Sequence, residues 1–271
     1  MARDFRGRTV AVTGAAGGLG RALALRFAAA GARVAALDRD EAGLAHTAAA
    51  LREAGAACIT ATCDVTHEDD CLRALAEARR AFGGIDVLIN NAGITHRSGF
   101  AATRPAVLRR VMEVNYFGAL HCTHAALEDL LARRGMIIAI SSVAGFAPLI
   151  ARTGYAASKH ALHGFFDSLR VELEPAGVKT LLVCPSFIRT GIESNALAGD
   201  GGPVRHAQAI VGARSSPEAV AEKIFRTAVR ERRLLLPDRV SRLSWWASRL
   251  APRFYARQMA SRLGNEMREG K

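Results

Sequence analysis

The stretch Thr9-Val10-Ala11-Val12-Thr13-Gly14-Ala15-Ala16-Gly17-Gly18-Leu19-Gly20 joins a short apolar run to a glycine-rich turn. The apolar run is typical of a buried strand, and the amphipathic segment Leu19–Ala30 that follows is typical of a helix. Glycines let the backbone turn sharply and approach a pyrophosphate, whose charge is met by free N–H groups at a helix N-terminus. We therefore predict a nucleotide-binding loop, with a plain strand–helix turn as the alternative.

The same alternation of apolar runs and helix-length segments continues along the chain. Further strands are predicted at Arg33–Leu37, Ala57–Thr62, Val87–Asn90, Met136–Ile140, Thr180–Val183 and Leu234–Leu236. Further helices are predicted at Glu41–Ala54, Glu68–Phe82, Ala106–Ala132, Tyr155–Glu174 and from Ser216 onward. Near-continuous apolar strands joined by helical crossovers predict a doubly wound α/β fold, a Rossmann-like parallel sheet with helices on both faces. Ligands of such sheets bind beyond the carboxyl ends of the strands.

The domain organisation follows from this pattern. We expect one dinucleotide-binding catalytic domain over residues 1–237 and a basic, helical C-terminal tail over residues 238–271. Residues 186–216 form a long connection without a clear period, and connections of that length are usually lids, binding loops or disordered segments. We therefore expect a substrate lid there.

Composition excludes several classes of protein. The 271 residues are 50% hydrophobic and 23% charged, which is typical of a soluble globular chain. The five cysteines form no C-x-x-C pair, so neither a zinc site nor a disulfide framework is indicated. No apolar run approaches the roughly 20 residues that span a bilayer, and the first residues lack a secretory apolar segment. We therefore expect a cytoplasmic protein.

The net charge of +12 is concentrated near the C-terminus, where residues 205–271 hold 15 basic and 6 acidic side chains. Such a balance could indicate nucleic acid or an anionic membrane as partner. The chain has no aromatic–basic stacking platform and no recognised nucleic-acid docking motif, so we expect no nucleic-acid partner.

The glycine spacing is G-x-x-x-G-x-G without a following Gly-Lys-Ser/Thr, which makes a P-loop NTPase an unlikely class. Asp38 ends the second strand, where a carboxylate can bind the adenosine ribose of NAD and repel the 2′-phosphate of NADP. Arg39 could instead pair with that phosphate, so NADP stays open. Asp64 and Val65 end the third strand and are placed to contact adenine. Both aspartates could alternatively serve only as helix caps.

Tyr155 and Lys159 are four residues apart and share one face of a predicted helix. An ammonium beside a phenol favours the phenolate, and a phenol of lowered pKa can exchange protons at neutral pH. A surface Tyr–Lys pair is the alternative. The absence of H-E-x-x-H and G-x-S-x-G motifs removes the main support for a zinc protease or an α/β-hydrolase, and no metal is expected.

Together these motifs resemble the short-chain dehydrogenase/reductase (SDR) family over about residues 5–237. The resemblance rests on Thr13 to Gly20, Asn90-Asn91-Ala92-Gly93, Asn115, Ser142 and Tyr155-Ala156-Ala157-Ser158-Lys159. It implies hydride transfer between nicotinamide and a substrate carbon, with Tyr155 exchanging the hydroxyl proton. Ser142 is implied to hold the substrate oxygen, with Ser141 as second choice, and Asn115 to position a water in a proton relay through Lys159. A nucleotide-sensing protein without catalysis is the alternative, but it would need none of this proton chemistry.

The glycine loop and the resemblance together give the predicted cofactor-binding residues. They are Gly14, Gly18, Leu19, Gly20, Asp38, Arg39, Asp64, Val65, Asn91, Ala92, Gly93, Tyr155, Lys159, Pro185, Ile188 and Thr190. The chain departs from the family's Pro-Gly-x-x-x-Thr segment at Ser186, which replaces the glycine and could donate to the substrate. The family also implies a homodimer or homotetramer built from helices around Val107–Leu130 and Tyr155–Glu174.

The substrate side of the predicted cleft is apolar. Its candidate residues are Ile94, Phe146, Leu149, Ile150 and Phe187, with His96 and Arg97 as possible polar contacts. This favours a lipophilic secondary alcohol or ketone. Segments from Tyr155 to Arg170 and from Ser194 to Gly201 resemble the hydroxysteroid dehydrogenase and dehydrogenase/reductase member-seven branch, which implies steroid, retinoid or other bulky carbonyl substrates.

The tail places Leu243, Trp246 and Leu250 at helical spacing beside arginines, and Pro252 is predicted to begin a second helix. A basic, aromatic, amphipathic segment of this kind can pack on its own domain, contact another subunit, or lie at a membrane surface. The sequence leaves these three alternatives open.

Overall fold

The computed structural model describes residues 2–192, 195–204 and 213–263. Seven strands form one sheet in which every pairing is parallel. They are β1 (Thr9–Thr13), β2 (Arg33–Asp38), β3 (Cys58–Thr62), β4 (Val87–Asn90), β5 (Met136–Ile140), β6 (Lys179–Val183) and β7 (Leu234–Leu235). The order β3-β2-β1-β4-β5-β6-β7 confirms the predicted doubly wound fold and places the reversal of strand order between β1 and β4.

The described α-helices are α1 (Gly18–Ala28), α2 (Glu41–Glu53), α3 (Glu68–Phe82), α4 (Pro105–Met112), α5 (Gly118–Ala132), α6 (Thr153–Leu173), α7 (Pro217–Val229), α8 (Arg239–Leu250) and α9 (Pro252–Leu263). Both faces of the sheet are covered, by α1, α2 and α7 on one side and by α3, α5 and α6 on the other. Val10 and Val12 of β1 pack with α1 and α7 in one core, and Ala11 packs in the other core with α3, α5 and α6. Because both faces are buried, the strands are apolar at successive positions rather than alternating.

The predicted single helix over Ala106–Ala132 is interrupted. A π-helical turn at Glu113–Phe117 separates α4 from α5, and Asn115 lies within it. π-turns insert one residue into a helix and occur frequently at functional sites. Here Asn115 Oδ1 accepts from the Ile94 N–H, and Asn115 Nδ2 donates to the Ile94 carbonyl. These two bonds stabilise the irregular turn.

The predicted lid and tail lie only partly within the described residues. Outside the described residues lie 193–194 and 205–212 of the lid and 264–271 of the tail. They include Ser194, one of the residues on which the resemblance to the member-seven branch rests. In the part of the chain that the structure describes, no helix is both long and apolar enough to cross a bilayer. All five cysteines are free thiols.

Candidate active site

The glycine loop between β1 and α1 has little room for side chains. Gly14 and Gly18 have φ of +67° and +52°, which L-residues with a Cβ rarely adopt. A Cβ on Gly20 would lie 1.9 Å from the carbonyl oxygen of Gly14. Gly17 precedes α1 and supplies no side-chain cap. The loop is therefore a backbone cradle at a helix N-terminus, which fits the pyrophosphate of a dinucleotide.

The segment after β4 braces this cradle. Asn91 Nδ2 donates to the carbonyl oxygens of Thr13 at 2.9 Å and Gly14 at 3.1 Å. In return, Thr13 Oγ1 accepts from the main-chain N–H groups of Asn91 and Ala92, each at 3.0 Å. These bonds hold the carboxyl ends of β1 and β4 together, so the loop keeps its shape without a ligand.

Asp38, predicted to bind the adenosine ribose, lines the cleft at the end of β2. Its Oδ2 accepts from the Ala16 N–H at 2.9 Å, and its Oδ1 accepts from the Asp40 N–H at 3.1 Å. Asp64 lies 3.9 Å from the guanidinium of Arg110. Burial works against ionisation of Asp64, but its hydrogen bonds to Thr66 and the charges of Arg110 and Arg39 leave its pKa below the usual value. Acidic and basic groups therefore meet where a ribose or a 2′-phosphate would bind.

Tyr155 is the third residue of α6 and is partly buried. Ser142, the second residue after β5, lines the same cleft, and its hydroxyl favours the ionised form of the phenol. Burial raises the pKa of Tyr155, and this outweighs the lowering by the Ser142 hydroxyl and by the charge of Arg152. Arg152 thus supplies a positive charge near the phenol that the sequence analysis did not assign.

Lys159 lies one helical turn further on and is almost completely buried. Its Nζ donates to the carbonyl oxygen of Ile140 at 2.9 Å and lies 5.7 Å from the centre of the Tyr155 ring. Burial lowers its pKa to about 8. The expected lowering of the Tyr155 pKa by this ammonium is therefore not found, because the amine is held by a carbonyl away from the phenol and both groups are desolvated.

Asn115 lies behind the site. Its Oδ1 accepts from the Ile94 N–H at 2.8 Å, and its Nδ2 donates to the Ile94 carbonyl at 3.0 Å and to Ser158 Oγ at 2.8 Å. Gly93 separates this amide from Lys159: a Cβ there would lie 3.1 Å from Asn115 Oδ1 and 3.6 Å from Lys159 Nζ. A glycine at this position thus keeps open the space between the two polar groups.

The two adjacent serines after β5 point to different partners. The Ser142 hydroxyl acts on the pKa of Tyr155, and its Oγ accepts from the Ala144 N–H at 3.2 Å. Ser141 Oγ lies 3.0 Å from His163 Nε2, which is also 3.4 Å from Cys184 Sγ. Burial lowers the pKa of His163 to about 4 and raises that of Cys184 to about 12. Ser141 therefore lines the cleft as part of a neutral polar cluster with His163 and Cys184.

His96 and Arg97, the predicted polar contacts of the substrate, do not line the cleft. His96 has a structural role instead: it is fully buried, and its Nε2 accepts from the Gly154 N–H at 3.0 Å. Burial lowers its pKa to about 4, with a smaller contribution from Arg152. The only signal for this role in the sequence is that His96 is the third residue after Gly93.

One cleft of about 1280 Å³ joins these parts. All the predicted site residues line it except Gly20, which packs under the loop, and Asn115, which lies behind Gly93. The segment after β6 contributes Pro185, Ile188 and Thr190 to the lining. It lies against the glycine loop, since a Cβ on Gly18 would lie 3.1 Å from Thr190 Cβ.

The substrate end of the cleft differs in part from the sequence prediction. Ile94, Leu149 and Phe187 line it, but Phe146 and Ile150 do not. Phe146 instead packs against Trp245 of α8, with ring centres 4.8 Å apart. Further apolar lining comes from the tail, which the sequence did not assign to the cleft: Val240, Leu243, Ala247, Phe254 and Met259.

A nucleotide cradle and a Ser–Tyr–Lys set that open into one cleft define a Rossmann-type oxidoreductase. Residues 8–200 match the family model described as short chain dehydrogenase. The chain belongs to the short-chain dehydrogenase/reductase family, whose members are NAD(P)-dependent dehydrogenases and reductases. The predicted family and enzyme class are thereby confirmed.

Curated relatives also confirm the predicted branch. The chain is 36% identical to dehydrogenase/reductase SDR family member 7B of Bos taurus, over 98% of this chain and 84% of that protein. It is 35% identical to the SDR family protein 7-like of Anopheles gambiae, over 94% of this chain and 82% of that one.

Solved structures show the same architecture. A short chain dehydrogenase/reductase from Burkholderia phymatum in complex with NAD aligns with a TM-score of 0.82 at 27% identity, covering 94% of this chain and 96% of its own. An alcohol dehydrogenase from Thermococcus sibiricus complexed with 5-hydroxy-NADP aligns with a TM-score of 0.73 at 21% identity, covering 84% and 95%. The second likeness concerns the fold alone.

Proposed function

We propose that this chain transfers hydride between NAD(H) and a lipophilic secondary alcohol or ketone. The observation that carries the proposal is that Ser142, Tyr155 and Lys159 line the same cleft as the glycine cradle. The oxygen of a carbonyl or alcohol placed against both hydroxyls would lie within reach of proton transfer.

Each polar residue then has a defined task. Ser142 orients the substrate oxygen, and Tyr155 gives or takes the hydroxyl proton. Lys159 donates to the Ile140 carbonyl, lies 5.7 Å from the centre of the Tyr155 ring and, with a pKa of about 8, can lose or gain a proton near neutral pH. Asn115 holds the main chain of Ile94 at the back of the site and is proposed to position the water through which Lys159 exchanges that proton.

The dinucleotide would be held by the glycine cradle, the segment after β4 and Thr190. When bound, its nicotinamide supplies or accepts the hydride. NAD(H) is the preferred form in this proposal, because the Asp38 carboxylate is fixed by two main-chain N–H groups at the adenosine end. Arg39 and Arg110 are the exposed residues that would favour a 2′-phosphate instead.

The substrate class is supported by the apolar lining. Leu149, Phe187, Leu243, Phe254 and Met259 line the substrate end. A steroid, a retinoid or another bulky carbonyl compound would bury its hydrocarbon there while presenting one oxygen to Ser142 and Tyr155. The relatives named above are consistent with this proposal but do not identify a substrate.

The test is a panel of steroid, retinoid and aliphatic alcohols and ketones, followed by the absorbance of reduced nicotinamide with both NAD and NADP. Turnover of a lipophilic member is expected, and Tyr155→Phe should lower it by about 10²–10⁴-fold while leaving nucleotide affinity nearly unchanged. Undiminished turnover in Tyr155→Phe would contradict the role of the phenol. A complete lack of turnover with nucleotide binding retained would favour the sensor alternative.

Three further expectations remain proposals. A homodimer or homotetramer through α5 and α6 is supported by exposed apolar residues on that surface, Phe117, Leu131 and Val171, and sedimentation would test it. A cytoplasmic location is supported by the free cysteines. We also retain residues 186–216 as a substrate lid, since Phe187, Ile192 and Leu197 line the cleft.

A further inference from the structure

The two tail helices expose an apolar stripe. Leu243, Trp246 and Leu250 on α8 are 70%, 61% and 78% exposed, and Phe254 at the start of α9 is 59% exposed. Most large apolar residues of the described chain are buried, so four exposed ones in one hairpin are unusual. This stripe is the one predicted from the sequence, and it is exposed among the residues that the structure describes.

The opposite side of α8 is firmly attached. Asp238 caps the helix by accepting from the Ser241 N–H at 2.8 Å, and it also accepts from the Ser186 N–H at 3.1 Å. Trp245 packs on Phe146 and carries the Arg249 guanidinium 3.3 Å above its ring. The exposed stripe is therefore presented by a helix that is bonded to the wall of the active site.

The charged side chains of α8 and α9 have one sign. Residues 239–263 contain no aspartate or glutamate. Their six arginines are all exposed: Arg239, Arg242, Arg249, Arg253, Arg257 and Arg262. An apolar centre with tryptophan and a purely cationic surround has the composition of a helix that lies in the interface of an anionic membrane.

The stripe is continuous with the mouth of the cleft. Leu243 and Phe254 are exposed and also line the cleft, as does Arg262. Trp246 and Leu250 belong to the stripe but do not line the cleft. The surface that would contact a bilayer thus leads directly to the substrate end of the site.

We infer that the α8–α9 hairpin docks on an anionic lipid surface, with Leu243, Trp246, Leu250 and Phe254 in the headgroup region. Given the substrate class of the proposed function, a lipophilic substrate then enters the cleft from the bilayer and need not cross water. A second copy of the chain fits the stripe less well, because a symmetric contact would bring two sets of six arginines together.

The first test measures binding to vesicles of phosphatidylcholine alone and of phosphatidylcholine mixed with phosphatidylglycerol, by co-sedimentation at low and high salt. The wild type should bind the anionic vesicles at least about tenfold more tightly, since each arginine near such a surface contributes a factor of roughly five. Salt should weaken this binding. Equal binding to both vesicles, or none to either, would overturn the inference.

The second test separates the stripe from general surface effects. Trp246→Ser with Leu250→Ser should weaken binding by about 10- to 100-fold, because two apolar side chains no longer enter the interface. Leu72→Ser removes an exposed leucine on α3 and should leave vesicle binding unchanged. NADH affinity should be equal in all variants, which shows that they are folded and makes the result independent of turnover.

Wild-type affinity in the double variant would overturn the inference. So would a lipid-free dimer that the double variant dissociates, because a second copy would then cover the stripe. If vesicle binding is found but no lipophilic substrate is turned over, the docking surface stands and the proposed substrate class fails.

Discussion

The Nε2 atom of His96 accepts a hydrogen bond from the main-chain N–H of Gly154 at 3.0 Å, so the loop after β4 caps the helix that carries Tyr155. Arg152, at the N-cap position of α6, makes no side-chain cap bond. The same loop pairs with Leu197 through main-chain bonds of 2.9 Å on either side of His96. One buried imidazole therefore connects the first turn of α6 to a segment that lines the substrate end.

Replacing His96 by leucine should slow catalysis. The Gly154 N–H would lose its acceptor, and a lost helix cap costs about 1–2 kcal/mol of stability. Because Tyr155 is the next residue, we expect kcat to fall by about tenfold or more while the KM for NADH stays nearly constant. His96→Gln can still accept through Oε1 and should restore most of kcat.

The control for this prediction is His160→Gln, since His160 is an exposed histidine on the same helix. Its steady-state constants should match those of the wild type. If His96→Leu is merely less stable, with an unchanged kcat at a temperature where it is folded, the positioning role is wrong.

Acid should destabilise the protein through the same imidazole. Burial lowers the pKa of His96 from 6.5 to about 4, so between these values the unfolded chain binds the proton more readily than the folded one. Stability is therefore full above about pH 6.5 and is lost as pH falls toward 4, by up to about 3 kcal/mol. Burial lowers the pKa of His163 in the same way, so His96→Gln should remove only part of the loss of stability in acid. Urea unfolding near pH 7 and pH 4.5 checks this, and an unchanged acid slope in the variant would contradict it.

The adjacent serines should separate catalysis from packing. Ser142→Ala removes the hydroxyl that is proposed to orient the substrate oxygen beside Tyr155, and we expect kcat/KM to fall by about 10²-fold or more. Ser141→Ala removes a bond to His163 at 3.0 Å and should cost about 1 kcal/mol of stability with a much smaller effect on rate. Steady-state kinetics and thermal unfolding of both variants measure the two effects. A Ser141 variant as slow as the Ser142 variant would reverse the assignment.

Sequence patterns predicted the sheet and the cradle well because both depend on local signals. β1 is a continuous apolar run that ends at glycines with positive φ, and neither feature needs distant contacts to be recognised. The π-turn at Glu113–Phe117 was not predicted, since one extra residue in a helix leaves the apolar pattern almost unchanged. It depends on the bonds between Asn115 and Ile94, which are distant in sequence.

The contribution of the tail to the cleft was missed for a similar reason. Leu243 and Phe254 reach the cleft only because Asp238 bonds to Ser186 and Trp245 packs on Phe146. These contacts join segments about 50 or more residues apart, and no periodicity within the tail indicates them. The burial of His96 and the basic group Arg152 beside Tyr155 likewise depend on the packing of loops around α6.

Lys159 should make stability rise with pH in the alkaline range. Its folded pKa of about 8 lies below the 10.5 of an unfolded lysine, so between these values only the unfolded chain holds the proton. Stability therefore increases as pH rises from about 8 to 10.5, by an amount of the order of 3 kcal/mol. Buried thiols make stability fall as pH rises through the alkaline range, because burial raises the pKa of Cys184 to about 12 and the folded chain then holds the proton longer than the unfolded one.

The difference between wild type and Lys159→Met isolates the lysine. The variant lacks the buried amine, so its stability should not rise with pH in this range. The free energy of unfolding of the wild type minus that of the variant should therefore increase by about 2–3 kcal/mol between pH 8 and 10. Denaturant unfolding at both pH values measures it. A constant gap would show that the amine is not desolvated in the folded protein.

Cofactor choice should depend on the charge of Asp38 rather than on its shape. Asp38→Asn keeps an oxygen that can accept from the Ala16 N–H, which is 2.9 Å from Oδ2, but it removes the carboxylate that would repel a 2′-phosphate. Arg39 and Arg110 remain nearby, so we expect the ratio of kcat/KM for NADPH to that for NADH to rise by about tenfold or more.

The matched control is Asp69→Asn, which removes the same charge from an exposed position in the first turn of α3. Initial rates with both nucleotides, at a fixed concentration of a substrate found in the panel, give the two ratios. If the Asp38 and Asp69 variants shift the ratio equally, overall charge decides the preference, and Asp38 is only the residue that holds the loop at Ala16.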